Sequence, residues 1–276
     1  MERSGGTPRP VTGPGGWGVC WRPAPRARMR LLCLPHAGAG AGVFRAWAAG
    51  LAPDIEVIAV RLPGRESRFG EPARTRLEDL VPGLLEGLAP WLDRPHAWFG
   101  HSMGALLAFE ACRRAAAAGL RRAERLHVAC HPAPRLLQKR LAGVDWSSGE
   151  ELTAGLEKLG GIPRGVRDDP ALAAFLPVLR ADLEVLRGYR YRPGPPLDVP
   201  VSVYGGTRDD TVPAEELDGW REHTTAGCEV RMLPGGHFFP REEPAGLLAA
   251  IAAGAAGTVD PAPAVPGRNE RRVRDW

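Results

Sequence analysis

Gly100-His101-Ser102-Met103-Gly104 is the stretch on which the fold of this 276-residue chain turns. It reads G-x-S-x-G, follows the short apolar run Ala97-Trp98-Phe99, and precedes the helix-like run Ala105-Leu106-Leu107-Ala108-Phe109-Glu110-Ala111-Cys112. A strand, a tight turn and a helix in that order present a serine hydroxyl on a sharp elbow. A serine hydroxyl is a weak nucleophile by itself, so it needs a base beside it and backbone N–H donors around it. With 35 glycines in the chain the pentapeptide arises easily by chance, and it is the strand-turn-helix setting that makes Ser102 a candidate nucleophile.

Partners follow in the order Ser, Asp, His. Pro200-Val201-Ser202-Val203-Tyr204-Gly205-Gly206 reads as a buried strand that ends in glycines and opens into Thr207-Arg208-Asp209-Asp210. Cys228-Glu229-Val230-Arg231-Met232-Leu233 reads as a further strand, running into Pro234-Gly235-Gly236-His237-Phe238-Phe239. In an open parallel sheet the loops at the carboxyl ends of the strands converge on one edge, so residues far apart in sequence meet there. His237 is then the base that takes the Ser102 proton, and a carboxylate orients its ring. That carboxylate is Asp209 or Asp210; the G-x-x-D spacing from Gly206 favours Asp209.

Leu31-Leu32-Cys33-Leu34 is an early apolar strand that opens into the small-residue loop Pro35-His36-Ala37-Gly38-Ala39-Gly40. A loop of this kind supplies one oxyanion N–H while the residue after the nucleophile supplies the other, which makes Ala37 and Met103 the expected donors. Gly38, Gly40 and Gly42 have G-x-G-x-G spacing, and the next strand, Val57-Ile58-Ala59-Val60, ends in Arg61 instead of an acid, so a dinucleotide loop is not expected. His96, His101, His127, His131 and His223 lack metal-ligand spacing, and no metal site is expected.

Strand-like runs at Leu31–Leu34, Glu56–Val60, Ala97–Phe99, Leu126–Ala129, Val201–Tyr204 and Val230–Leu233 alternate with helical segments, as a mostly parallel, doubly wound α/β sheet requires. Trp17–Trp21 is an expected antiparallel edge strand. About 70 residues separate the strands at Ala129 and Val201, too many for one crossover. Leu152, Leu156 and Leu159, then Leu172, Phe175, Leu176, Leu179, Leu183 and Leu186, recur at helical spacing, so two or three amphipathic helices are inserted there, at about residues 140–190. They either pack on the sheet as scaffold or form a lid with an apolar underside.

The net charge is +4, but residues 1–30 hold six arginines against one acid and residues 257–276 four against three. The interior of the chain is therefore close to neutral, and the folded basic face that a nucleic-acid binder needs is not expected. Residues 1–16 and 257–276, rich in Pro, Gly and Arg, are expected to be disordered extensions of one domain over 17–256. There is neither an apolar run of about 18 residues nor a signal-like start, so a cytoplasmic chain without membrane contact is expected. Five cysteines at unpaired spacings argue against a disulfide framework. Arg61-Leu62-Pro63-Gly64-Arg65-Glu66-Ser67-Arg68 is either a solvated loop stabilised by its own charges or a basic rim for an acidic partner.

Taken in order, Leu34-Pro35-His36-Ala37-Gly38, Phe44 and Trp47, Arg61-Leu62-Pro63-Gly64-Arg65-Glu66, the Ser102 pentapeptide, Leu176-Pro177-Val178-Leu179-Arg180-Ala181-Asp182 with Tyr189, and Gly235-Gly236-His237-Phe238-Phe239 resemble the stand-alone (type II) thioesterases of modular polyketide and nonribosomal peptide biosynthesis, from about Trp17 to Ile251. Ala39 stands where that family usually has another glycine. The resemblance implies an α/β-hydrolase fold with a helical lid, whose apolar face carries Phe175 and Leu179 toward substrate. It implies hydrolysis of acyl thioesters from the phosphopantetheine arm of acyl or peptidyl carrier proteins, clearing stalled or misprimed groups, with no cofactor of the enzyme's own. A monomer is expected. A carboxylester hydrolase or acyltransferase with the same triad is the alternative.

Overall fold

The computed structural model describes residues 10–141, 149–159 and 170–256. Eight strands form one sheet in the order β1-β2-β4-β3-β5-β6-β7-β8. They are β1 (Val11–Thr12), β2 (Gly18–Cys20), β3 (Met29–Leu34), β4 (Ile55–Val60), β5 (His96–His101), β6 (Arg125–Ala129), β7 (Val201–Gly206) and β8 (Cys228–Leu233). β3 to β8 are parallel, and β1 and β2 close one edge antiparallel. All six expected parallel strands are present, and the expected edge strand is β2.

One boundary needs correcting. Val11–Thr12 pairs with β2, Val11 opposite Cys20, so the sheet takes in residues ahead of the boundary expected at 17. Both β1 residues are exposed, and a two-residue exposed strand leaves no apolar pattern to recognise. The expected disorder of residues 1–9 and 257–276 falls outside the described residues.

Nine α-helices flank the sheet among the described residues: α1 (Trp47–Gly50), α2 (Leu77–Leu88), α3 (Met103–Ala117), α4 (Leu137–Leu141), α5 (Gly149–Leu159), α6 (Pro170–Gly188), α7 (Ala214–Asp218), α8 (Phe239–Glu242) and α9 (Ala245–Ala256). Side chains alternate across a strand with period two, and here the alternation divides the core into two layers. Leu32, Leu34, Ile58, Val60, Trp98, Leu126, Val128, Val201 and Val203 pack under α2, α3 and the end of α6, while Leu31, Cys33, Val57, Ala59, Ala97, Phe99 and Ala129 pack with Phe44, Trp47, Leu247 and Ile251 on the other face. Apolar residues on both faces explain why the central strands read as continuous apolar runs.

The sheet order reverses between β3 and β5: the chain steps outward from β3 to β4, then returns past β3 to β5. The loops leaving β3 and β5 diverge at this switch point and leave a crevice at the strands' carboxyl ends, where the His36–Gly40 loop and the Ser102 elbow sit. Among the described residues, the insertion expected between β6 and β7 holds α4, α5 and α6. The side chains of Leu152, Leu156, Leu159 and Leu172 lie outside those described.

The Arg61–Arg68 segment is neither a solvated loop nor a basic rim. Arg65 and Arg68 are buried; Arg65 pairs with Asp182 of α6, and Arg68 pairs with Glu71 and lies over the Trp17 ring at 4.0 Å. The charges stabilise a loop folded against the body of the protein. All five cysteines are free thiols. Among the described residues no helix is long and apolar enough to cross a membrane.

Buried histidines give the fold an acid weakness. Burial pushes His36 and His223 down to about 4 and His127 down to about 3. The unfolded chain, with histidines near 6.5, binds protons first as pH falls, so stability is full above about pH 6.5 and is lost between there and pH 4. Each ring withdraws up to about 1.4 kcal/mol for every pH unit across that window, so the Tm falls by many degrees. Thermal melts at pH 7.0, 5.5 and 4.5 are expected to fall steadily; a Tm constant over that span would contradict the burial of these rings.

Candidate active site

Ser102 sits between β5 and α3 with φ 53° and ψ −118°, a conformation seldom adopted by residues with a side chain. The elbow is possible because two chain crossings are unusually close. A Cβ on Gly100 would lie 2.2 Å from the Gly104 carbonyl oxygen, and one on Gly104 would lie 2.3 Å from that of Leu34. Only glycine fits at either position, which gives the G-x-S-x-G spacing its physical meaning. The Ser102 N–H donates to the Ala129 carbonyl at 2.8 Å, tying the turn to the end of β6. Met103 opens α3, so the helix N-terminus with its partial positive charge lies directly behind the serine.

Asp209 and His237 reach the same edge from the loops after β7 and β8. His237 Nδ1 donates to Asp209 Oδ2 at 2.9 Å. Asp209 is 8% exposed and bonded to His237, whereas Asp210 is exposed, so burial and geometry both favour Asp209 as the candidate acid. The other carboxylate oxygen, Oδ1, accepts from the Thr211 N–H at 2.9 Å and from the Thr211 hydroxyl. Burial pushes the Asp209 carboxyl up, but the hydrogen bonds and charge of His237 and the Thr211 donors outweigh it, and the group lies below the ordinary aspartate value. It therefore stays ionised at neutral pH, as an acceptor for an imidazole N–H must.

His101 joins the two loops. Its buried ring donates from Nε2 to the His237 carbonyl at 2.8 Å and stands 5.4 Å, centroid to centroid, from the His237 ring. Burial holds it well below the usual histidine range, so it is a neutral strut, not a second base. His36 packs edge-on against His101 and Phe238, at 5.0 and 4.9 Å.

Three supporting residues had no role assigned to them from the sequence. Thr211 holds the second oxygen of Asp209, and its hydroxyl oxygen lies 3.0 Å from His237 Nδ1. Its only signal in the sequence was its place two residues after an expected acid. Cys130, at φ 53°, sets its thiol within 4.8 Å of the Asp209 carboxylate, and burial together with that carboxylate raises the thiol well above its ordinary value. Asp182 of α6 is the third, holding the loop that carries Ala37. Cys130, Asp209 and His237 are the one trio among the described residues whose ligand atoms lie within 4.8 Å of one another, close enough to share a metal ion. Asp209 and His237 use those atoms on each other, as an acid-base relay does.

The loop that carries Ala37 meets Phe175 through Gly38. The Ala37 N–H has no acceptor among the described residues, as an oxyanion donor should not. A Cβ on Gly38, the next residue, would come within 2.4 Å of the Phe175 ring and 3.4 Å of Leu179 Cδ1, so the underside of α6 lies directly on this loop. Phe175 keeps partial exposure, while Leu179 is only 2% exposed.

A serine on a strained elbow, a histidine bonded to a buried carboxylate, and free N–H groups beside them, on the carboxyl edge of a parallel sheet, define a serine hydrolase of the α/β-hydrolase fold. Residues 29–253 match the thioesterase domain family, and the chain belongs to that family. It is 35% identical over 240 residues to thioesterase PikA5 of Streptomyces venezuelae, covering 86% of this chain and 85% of that one. It is 36% identical to the gramicidin S biosynthesis protein GrsT of Aneurinibacillus migulanus, over 77% of this chain and 83% of that one. Among solved structures, the type II thioesterase BorB from the borrelidin biosynthetic cluster superposes with TM-score 0.76 at 38% identity, over 87% of this chain and 97% of that one.

Proposed function

We propose that this thioesterase is an editing enzyme of modular polyketide or nonribosomal peptide assembly, removing acyl groups from the phosphopantetheine arm of carrier proteins. The observation that carries the proposal is the Asp209–His237 pair set beside the Ser102 elbow in a chain of the thioesterase family. Relatives named for the biosynthesis of gramicidin S and borrelidin support the choice of carrier-bound substrates.

In this mechanism Ser102 Oγ attacks the thioester carbonyl carbon while His237 Nε2 takes its proton. Asp209, accepting from Nδ1, keeps the ring in the tautomer whose Nε2 is free and stabilises the imidazolium. The Ala37 and Met103 N–H groups receive the oxyanion. Collapse breaks the C–S bond, and the pantetheine sulfur leaves with the proton from His237. Water, activated by the same ring, then attacks the acyl-serine and releases the acid. No cofactor beyond the carrier's own arm takes part, and the enzyme acts as a cytoplasmic monomer beside its synthase.

The insertion is the lid, and Phe175 with Leu179 forms the wall that meets the acyl chain. Turnover of carrier proteins bearing a graded set of acyl groups, beside matching oxyesters, tests both parts. Thioesters on the carrier are expected to be preferred. Phe175→Trp, which enlarges a partly exposed ring, is expected to shift the favoured chain length, since a methylene in an apolar pocket is worth about 1–3 kcal/mol. Equal turnover of free oxyesters would replace the editing role with that of a carboxylesterase, and a uniform slowing across all chain lengths would remove Phe175 from the pocket.

A further inference from the structure

We infer that Asp182 is a positioning residue that makes the oxyanion pocket conditional on the docking of the lid helix. It lies on α6, seven residues beyond Phe175 and three beyond Leu179, on the helix face that meets the Ala37 loop.

The Ala37–Gly38 peptide group is held at both of its edges. Its N–H donates to Asp182 Oδ2 at 2.7 Å, and its C=O accepts from His36 Nδ1 at 3.0 Å. One residue on, the Ala39 N–H donates to the His36 carbonyl at 3.1 Å, and the Ala39 carbonyl accepts from Arg65 Nη1 at 3.0 Å. Arg65 closes the circuit, giving Nη1 and Nη2 to the two oxygens of Asp182 at 2.7 Å each. Asp182 is 1% exposed and Arg65 6%. Bidentate, desolvated and shared between three chain segments, the pair is of the strong and directional kind.

This circuit has a specific effect on the chemistry. A peptide plane is free to rotate about its flanking dihedrals, and holding both its N–H and its C=O removes that freedom. The Gly38 N–H is taken up by Asp182, so it does not compete for an oxyanion; the Ala37 N–H belongs to the preceding His36–Ala37 peptide, whose C=O accepts from the Ala39 N–H of the same circuit, and it is left as the donor with no acceptor among the described residues. Donors already aimed at the developing charge require no reorganisation when the carbonyl becomes tetrahedral. Because the anchor stands on α6, a lid helix that moves away carries the acceptor with it and releases the peptide plane.

The inference rests on the assignment of Ala37 as an oxyanion donor, and the experiment separates the two. Two variants are made: Asp182→Asn, which keeps volume and one acceptor but removes the charge, and Arg65→Met with Asp182→Leu, which replaces the pair by apolar side chains that a core tolerates. Melting temperatures establish which variants are folded. Steady-state kinetics on an acyl-N-acetylcysteamine thioester are read beside inhibition by an alkyl trifluoromethyl ketone, which adds serine Oγ at its carbonyl carbon and places the resulting oxyanion in the pocket. In either folded variant kcat is expected to fall about 10- to 100-fold with KM within about threefold, and the ketone's inhibition constant is expected to rise by a similar factor. A folded variant with kcat within threefold of the parent, a raised KM at constant kcat, or a lowered kcat with unchanged ketone affinity each overturns the role of Asp182. A parent enzyme that ignores the ketone overturns instead the assignment of the oxyanion site.

Discussion

Ser102→Ala is expected to lower thioester hydrolysis by at least about 10⁴-fold while leaving the fold intact. The loss follows from removing the only atom that forms the acyl-enzyme bond; what remains is binding and oxyanion stabilisation of an uncatalysed attack by water. The fold survives because alanine keeps the Cβ and asks nothing new of a backbone already at φ 53°. Neither close crossing at Gly100 or Gly104 involves the hydroxyl. The melting temperature is therefore expected to stay within a few degrees of the parent or rise, as strained active-site residues often permit. Hydrolysis of an acyl-carrier protein followed by mass spectrometry checks the first part and a thermal melt the second. Activity within tenfold of the parent would remove Ser102 from the mechanism.

Asp209→Asn is expected to cost on the order of 10⁴ in kcat, against less than twofold for Asp210→Asn. The local hydrogen bonds explain why so small a change is so damaging. Thr211 presents two donors, its N–H and its hydroxyl, to the Oδ1 side of residue 209. They draw the amide oxygen of an asparagine toward themselves and leave its NH₂ pointing at His237 Nδ1. Nδ1 must then accept instead of donate, the ring proton moves to Nε2, and the nitrogen that should receive the serine proton is already occupied. Asp210 is exposed and outside this network, so its amide changes only a surface charge. Parallel kinetics on the two variants decide the assignment, and a larger loss at 210 would transfer the role of the acid.

How far the molecule was legible in its sequence depended on whether the relevant pattern was local. The parallel strands announced themselves because each is buried on both faces and so is apolar without interruption. Ser102, Asp209 and His237 were legible as a candidate triad because each follows a strand at a fixed short distance and lies among glycines that the close crossings demand. The choice between adjacent aspartates was only suggested by spacing; the burial of Asp209 and its bond to His237 are not readable from the sequence and favour it further. Thr211 and Cys130 were missed because a small polar residue and a thiol in or after strands have many ordinary uses. Arg65 and Asp182 are 117 positions apart, and nothing in the neighbourhood of either names the other. The arginine segment consequently looked like a surface feature when it is an internal tie. At the other extreme β1 was invisible because it buries nothing.

The reversal of strand order between β3 and β5 also bears on how the enzyme comes into being. Every neighbour in the parallel part of the sheet is joined through a crossover, and the four segments that make the site, ending β3, β5, β7 and β8, are drawn from residues spread between 29 and 237. None of them can be paired by a local hairpin. A chain with so many long-distance pairings closes costly loops before it gains their contacts, and it folds slowly compared with one of local topology. The nucleophile elbow is itself a meeting of the β3 exit with the β5–α3 turn, so it has no shape until both strands are in register. Catalytic competence is thus a late property of the folding chain, and a nascent enzyme cannot cleave a thioester before its own sheet is complete.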